Sequence, residues 1–307
     1  MLLSSDIIYV EKKRAHGCNY YTDMIKFLRP GLVVHTLNEH TPPCNAIVVG
    51  FSWTDCSDGS PSHLAIPLHL QHVPLFIILN KEYTGLAKKL QWIVSLRPAL
   101  VFTVHHDTEK YTRQTGIPFS RIMWSSDPSL FRNFGGDYTS DLFFTGVIRA
   151  EQTENLRKLI YDRLHCLSQY RLHINAAFYA NGRMTGKYNS FSNEEYARHM
   201  SASRIALSTT GPADLVGTRY FEIVAGGRAL LLCNRMPDEV YSDLFIDGFN
   251  CVMFDDADDF CRKCKYYLDH EQERQVIVQR AYKTFHEKQT WTASCGRMMH
   301  EISQRCL

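Results

Sequence analysis

Ser203 to Asn234 reads SRIALSTTGPADLVGTRYFEIVAGGRALLLCN, and its pattern decides the architecture. Ile205-Ala206-Leu207 is a short apolar run of the kind that forms a buried strand. The turn-forming residues Ser208, Thr209, Thr210, Gly211 and Pro212 follow. A helix is expected over Val216 to Ala225, stopped by Gly226-Gly227, and a second strand over Ala229 to Cys233. The unit is strand–loop–helix–strand. Thr218, Arg219 and Glu222 fall in the first turns of its helix, beside backbone N–H groups without helical partners. Such a helix start attracts anions, and an arginine there can grip a phosphate bidentately. A carboxylate one turn further in suits a ribose.

Asp214 and Glu222 are separated by seven residues, and Glu222 opens EIVAGGRALLL. This resembles the acidic pair and the E-x-x-A-x-G-x-x-x-L segment of two-domain, GT-B-type glycosyltransferases. TRYFE…GG…LLL is similar, more narrowly, to the spore-maturation (CgeB-like) branch and to soluble glycosyltransferases of large algal viruses. The resemblance implies that Glu222 holds ribose hydroxyls of a sugar nucleotide. Where that family usually has glutamate as its first acid, this chain has Asp214, one methylene shorter. On the residues alone, Arg219 and Glu222 also fit an exposed helical ion pair at i, i+3.

At 307 residues the chain has room for one large or two medium domains. Its 34 basic and 32 acidic residues nearly balance, and no basic stripe stands out, which argues against nucleic acid as a main partner. MLLSSDIIYVEKKR does not read as a signal peptide, and no apolar run is long enough for a transmembrane helix. Ten cysteines in a chain of this length do not form a disulfide framework, and a reducing, cytoplasmic setting is expected. Cys261-x-x-Cys264 lies inside a helical pattern with no further Cys/His pair nearby, so helix packing is expected there rather than zinc.

In the first half, strands are expected at Asp6–Val10, Leu32–Leu37, Ala46–Phe51, Leu75–Leu79, Leu100–Val104 and Arg121–Trp124, with helices at Tyr83–Leu96 and Thr108–Thr115. In the second half they are expected at Asp141–Thr145, Leu172–Tyr179, Arg204–Leu207, Ala229–Cys233 and Asn250–Phe254, with helices at Glu154–Leu167 and Glu194–Ala202. Near-continuous apolar strands alternating with helices indicate parallel sheets covered on both faces. The glycine-bearing stretch Asn133–Thr139 marks the boundary. Two doubly wound, Rossmann-like α/β domains facing a cleft are expected, over 1–138 and 139–285. The tail from Asp256 is helical, and the resemblance implies that its last part, 286–307, crosses back onto the first domain.

Open α/β sheets bind ligands beyond the carboxyl ends of their strands. In the first half this selects Gly50, Ser52 and Asp55, then Asn80, Lys81 and Glu82, then His105, His106 and Asp107, then Ser125, Ser126 and Asp127. NKEY and HHD also look like segments of the algal-virus branch. His105, His106 and Asp107 fit either a functional cluster or a hydrogen-bonded strand end followed by a helix cap. Asp127 before Pro128 has the form of an N-cap with proline at N1. Asp55 and Asp58 read as solvated turn residues. In the second half Gly146 follows the first strand, where glycine lets a diphosphate approach the backbone. The resemblance makes Arg149 a diphosphate contact. Arg183 and Lys187 are either further phosphate ligands or solvated loop charges.

These readings imply a glycosyltransferase carrying a hexosyl, deoxyhexosyl or pentosyl group from a UDP- or GDP-type sugar nucleotide to a hydroxyl of a glycan or other acceptor. The donor site would comprise Gly146, Arg149, Thr218, Arg219 and Glu222. Asp107, backed by His106, is the first choice of base for an inverting reaction and Glu82 the second; Asp214 matters more in a retaining one. No acidic pair of DxD type sits at a strand end, so neither a metal nor another cofactor is expected. An epimerase acting on the same donor, or a non-catalytic protein of the same fold, would share these features.

Overall fold

The buried strands are rich in β-branched and aromatic residues: IIYV over Ile7–Val10, AIVV over Ala46–Val49 and LFIIL over Leu75–Leu79 are buried throughout. A strand with no exposed face needs cover on both sides, which a parallel sheet with crossover helices supplies. A computed structural model describes residues 3–12, 19–55, 61–181, 183–185, 190–242 and 244–306; Asp58 and Lys187 lie outside them. The chain divides into two compact units. Unit 1 is Met1–Ser125, Pro212–Leu215 and Trp291–Leu307, and unit 2 is Ser126–Gly211 and Val216–Thr290. The expected junctions at 138/139 and 285/286 both fall within unit 2, the second inside a continuous helix.

Unit 1 contains β1 (Ile7–Val10), α1 (Asn19–Leu28), β2 (Leu32–Val34), β3 (Ala46–Val49), β4 (Leu75–Leu79), α2 (Leu86–Leu96), β5 (Leu100–Thr103), α3 (Thr108–Thr115) and β6 (Phe119–Arg121). Its sheet has the order β2-β1-β3-β4-β5-β6, every pair parallel. The last strand lies earlier than the expected 121–124. Gly116, with φ +71, ends α3 in the left-handed conformation, and Phe119 is then the first residue able to pair.

Unit 2 contains β7 (Ser140–Arg149), α4 (Leu156–Arg163), β8 (Leu172–Ala180), β9 (Arg183–Thr185), α5 (Asn193–Ser201), β10 (Ser203–Ser208), α6 (Thr218–Ala225), β11 (Leu230–Asn234), α7 (Asp238–Tyr241), β12 (Val252–Phe254), α8 (Ala257–Asp269) and α9 (Glu271–Lys288). Its order is β12-β11-β10-β7-β8-β9, parallel except for the β8–β9 hairpin. The order reverses between β7 and β10, and such a switch point opens a crevice at the strands' carboxyl ends. Both units are therefore Rossmann-like, and the pair is the two-domain GT-B architecture. β7 does not stop at Thr145 as expected, because β8 continues to pair with it as far as Arg149. Cys261 and Cys264 are buried in the core of unit 2, on the inner face of α8.

The final helix, α10 (Trp291–Arg305), belongs to unit 1 as expected. It packs against α1, with Cys295 Sγ 3.7 Å from Met24 Sδ and Ser294 Oγ donating to the Met123 carbonyl at 2.8 Å.

Candidate active site

The switch point of unit 2 gathers two arginines around one glycine. Gly146 has φ +133, which L side chains rarely adopt. Arg157 lies in the first turn of α4, whose N-cap Asn155 accepts from the Arg157 N–H at 3.1 Å. The Arg157 guanidinium fills the space that a Gly146 side chain would take, and its Nη2 donates to Thr209 Oγ1 at 2.7 Å beyond the end of β10. Arg219, in the first turn of α6, donates from Nε to the Tyr196 hydroxyl at 3.0 Å and from Nη1 to the Thr145 carbonyl at 3.1 Å. Burial, followed by the neighbouring Arg219 charge, lowers the Arg157 pKa to about 10. Two cations that repel each other in partial burial make a site for an anion of more than one charge. Among the described residues no ion pair joins Arg157 to a carboxylate. α6 adds an open N-terminus, since its N-cap Gly217 offers no side-chain acceptor to the first-turn N–H groups.

Glu222 lies one turn into α6. It is not the freely exposed surface residue that an i, i+3 ion pair implies. Burial raises its pKa, opposed by the Arg219 charge and by the hydroxyls of Thr218 and Tyr196. α5 packs over that side of α6 and supplies Tyr196, which leaves Glu222 only partly exposed. Thr218 is the first residue of α6. Arg149 is not gathered with the arginine pair. It ends β7, about 10 Å along the strand from Gly146, with its guanidinium 5.3 Å from the Tyr179 ring. Arg183 is exposed on β9.

Asp214 sits in the short segment Pro212–Leu215, which groups with unit 1, and its side chain is exposed. Ala213 and Asp214 are both left-handed, with φ 58 and 55. Aspartate tolerates that conformation better than most residues, which gives a local reason for the shorter acid here.

At the carboxyl end of unit 1's sheet, Glu82 is 2% exposed. Its Oε1 accepts from Thr103 Oγ1 at 2.5 Å, and its Oε2 is sealed without a partner. Burial raises its pKa. A carboxyl closed off in this way cannot reach a substrate hydroxyl, which corrects its candidacy as a base. Thr103 Oγ1 also accepts from the His105 N–H at 3.1 Å, and His105 Nδ1 accepts from the Asp107 N–H at 3.0 Å. That last bond fixes the tautomer, with hydrogen on Nε2. Burial first, then His106, lower the His105 pKa to about 4, so the ring is neutral at pH 7. His106 stacks on it, ring centroids 4.3 Å apart. Asp107 is the N-cap of α3, with Oδ1 accepting from the Lys110 N–H at 3.0 Å.

Two further expectations are corrected in this region. Asp55 is enclosed rather than solvated: its side chain is 5% exposed, Lys81 Nζ lies 2.6 Å away, and the Tyr21 hydroxyl bonds to it. Asp127 caps no α-helix; its Oδ1 accepts from the Ser129 N–H at 2.9 Å and Oγ at 2.7 Å in an isolated turn. Among the described residues no three His, Cys, Asp or Glu side chains are placed to hold a metal ion, and no helix is long and apolar enough to cross a membrane.

Sequence reading missed Arg157, which lies well beyond Gly146 in the chain. The available signal was Asn155 before LRKLI, a helix start directly after the unit's first strand.

Residues 153–300 match the family described as "Glycosyl transferase-like". No curated protein matches. Among solved structures, HepE of Anabaena in complex with UDP-glucose superposes with a TM-score of 0.64 at 10% identity, covering 97% of this chain and 99% of that one. A glycosyltransferase from Rickettsia africae gives 0.62 at 8% identity, covering 97% and 98%. Sucrose-phosphate synthase from Thermosynechococcus elongatus gives 0.58 at 10% identity, covering 97% and 98%. At these identities the likeness establishes a shared fold.

Proposed function

We propose that this protein is a glycosyltransferase that moves a sugar from a nucleoside-diphosphate sugar, with UDP-sugars the first candidates, to a hydroxyl of a glycan or other acceptor. The observation that carries this is the pairing of Arg157 and Arg219 around Gly146 at the open start of α6. The comparisons support it: the matching family is glycosyl transferase-like, and the structurally similar HepE holds UDP-glucose.

In this reading the donor diphosphate lies between Arg157 and Arg219, and Glu222 takes ribose hydroxyls. As the bond from the anomeric carbon to the diphosphate oxygen breaks, negative charge grows on the leaving group. Two fixed guanidinium groups and the first-turn N–H groups of α6 stabilise that charge without reorganising. They do the work a divalent cation would otherwise do, so the reaction needs no metal. In an inverting reaction Asp107 accepts the acceptor hydroxyl's proton through its second carboxylate oxygen. His105, locked with hydrogen on Nε2, and His106 beside it order that rim. Asp214 remains the acid assigned to a retaining course. The free cysteines suit a reducing, cytoplasmic setting.

The test is a thermal-shift screen of UDP-, GDP- and TDP-sugars, followed by incubation of the binding donor with candidate acceptors in excess EDTA. A donor that raises the melting temperature and a glycosylated product formed despite EDTA are expected. No shift with any nucleoside diphosphate would overturn the reading. Loss of product on chelation with rescue by Mn²⁺ would overturn the metal-free course.

A further inference from the structure

β7 carries functional residues well past the switch point. Its register with β8 runs unbroken from Leu142↔Leu172 to Arg149↔Tyr179. Alternate residues of a strand share a face, so Phe143, Thr145, Val147 and Arg149 lie on one side of the sheet. Phe143 identifies that side, because its ring centroid lies 5.6 Å from that of Tyr196 on α5. It is the side of Arg219, which bonds both Tyr196 and the Thr145 carbonyl. Beyond Thr145 the face changes from polar to apolar. Val147 is 43% exposed, with the small Ala177 opposite it. Next come Arg149 and Tyr179, stacked as cation and ring, and Met184 of β9 pairs with Tyr179 and is 55% exposed.

We infer that this shelf of Val147, Tyr179 and Met184, with Arg149 at its edge, receives the nucleobase of the donor. The inference rests on the donor reading above. The shelf shares the sheet face of Arg219. It begins where Arg219 is bonded to Thr145 and ends about 13 Å further along the strand, leaving a span for the ribose between phosphate and base. Exposed apolar side chains beside a half-buried ring suit a flat heterocycle, since every base has a π face that stacks on an aromatic side chain. The guanidinium of Arg149 adds a planar cation to the same stack. Arg149 thus acts at the nucleoside end of the donor.

The experiment is calorimetric titration of UDP, and separately of inorganic diphosphate, into the parent protein, Tyr179→Ala, Tyr179→Phe and Arg157→Ala. Tyr179→Ala should weaken UDP roughly tenfold or more and leave inorganic diphosphate unchanged. Tyr179→Phe keeps the ring and should bind UDP like the parent. Arg157→Ala should weaken both ligands. Unchanged UDP affinity in Tyr179→Ala, with both ligands weakened in Arg157→Ala, would overturn the shelf and leave the donor site standing. A Tyr179→Ala protein that loses inorganic diphosphate as well has lost more than a stacking surface, and that too would overturn the assignment. A parent protein that binds neither ligand would bring down the donor reading and the shelf together.

Discussion

The guanidinium of Arg157 occupies the place of a side chain at residue 146: a β-carbon built on Gly146 would meet its Nη1 at 3.0 Å and its Cζ at 3.2 Å. The contact joins the first strand of unit 2 to the first turn of the following helix. It depends on glycine twice, for space and for φ +133. Gly146→Ala should therefore push Arg157 out of the anion site while straining the strand. A stability loss of about 1–3 kcal/mol is expected from the backbone conformation, together with weaker binding of nucleoside diphosphate. A melting curve and a titration check both. Parent-like values for both would show that the close approach is not needed.

The two arginines should respond differently to removal. Each charge-assisted contact to phosphate is worth about 1.5–3 kcal/mol, so either alanine variant should bind nucleoside diphosphate roughly tenfold to a hundredfold less tightly. Arg157→Ala gives up the Thr209 hydroxyl but relieves repulsion by Arg219, so its melting temperature should change little. Arg219→Ala abandons the Tyr196 hydroxyl and the Thr145 carbonyl, and its melting temperature should fall. Glu222→Gln should weaken nucleoside diphosphate but not inorganic diphosphate, because the carboxylate is assigned to ribose. If inorganic diphosphate senses Glu222→Gln as strongly as Arg157→Ala, the division of roles is wrong.

The architecture was legible because it is written in local pattern. LFIIL, LVFT and LLLCN are continuous apolar runs between helical segments, and a strand buried on both faces can hardly be written otherwise. The stretch Ser203–Asn234 delivered its strand–loop–helix–strand unit, with α6 starting at Thr218, two residues later than expected. The site was only partly legible, because sites are made by juxtaposition. Arg157 meets Gly146 and Thr209 through the crossover of α4, which a linear reading does not show. Glu222 reads as a surface residue of an amphipathic helix until α5 is laid over it. Asp55 looked like a turn residue for the same reason: Lys81 and Tyr21 enclose it from other parts of unit 1.

Glu82 gives a prediction about pH and stability. Its folded pKa is raised by burial above the unfolded value of about 4.3. A carboxyl with a raised folded pKa stabilises the fold fully below its unfolded pKa. That contribution is lost as pH rises through the folded value, because the buried group must ionise or stay protonated against the solution. Glu82→Gln keeps an oxygen for Thr103 and cannot ionise. Its melting temperature should stay close to the parent's near pH 4 and move above it as pH rises towards 8. The check is a pair of melting series across that range. A difference between the two proteins that does not change with pH would mean Glu82 is ionised at no cost, and its sealed Oε2 would need another explanation.

Asp107 is at once a cap and the proposed base, and two substitutions separate the roles. Asparagine caps helices about as well as aspartate. Asp107→Asn should therefore keep the bond from the Lys110 N–H and change stability by no more than about 0.5 kcal/mol. It cannot accept a proton at neutral pH, so in an inverting enzyme turnover should fall by roughly 10²–10⁴, with donor affinity unchanged. Asp107→Ala removes the cap as well and should cost about 1 kcal/mol of stability on top of the same loss of turnover. A merely structural residue would behave otherwise: the asparagine variant would retain activity and only the alanine variant would suffer. The measurements are a melting curve, a donor titration and a turnover assay on each variant with one donor–acceptor pair. Full turnover in Asp107→Asn would reduce Asp107 to the cap of α3. The hydroxyl proton would then pass to His106, whose ring stacks on His105, or the reaction would take the retaining course in which no such base is required.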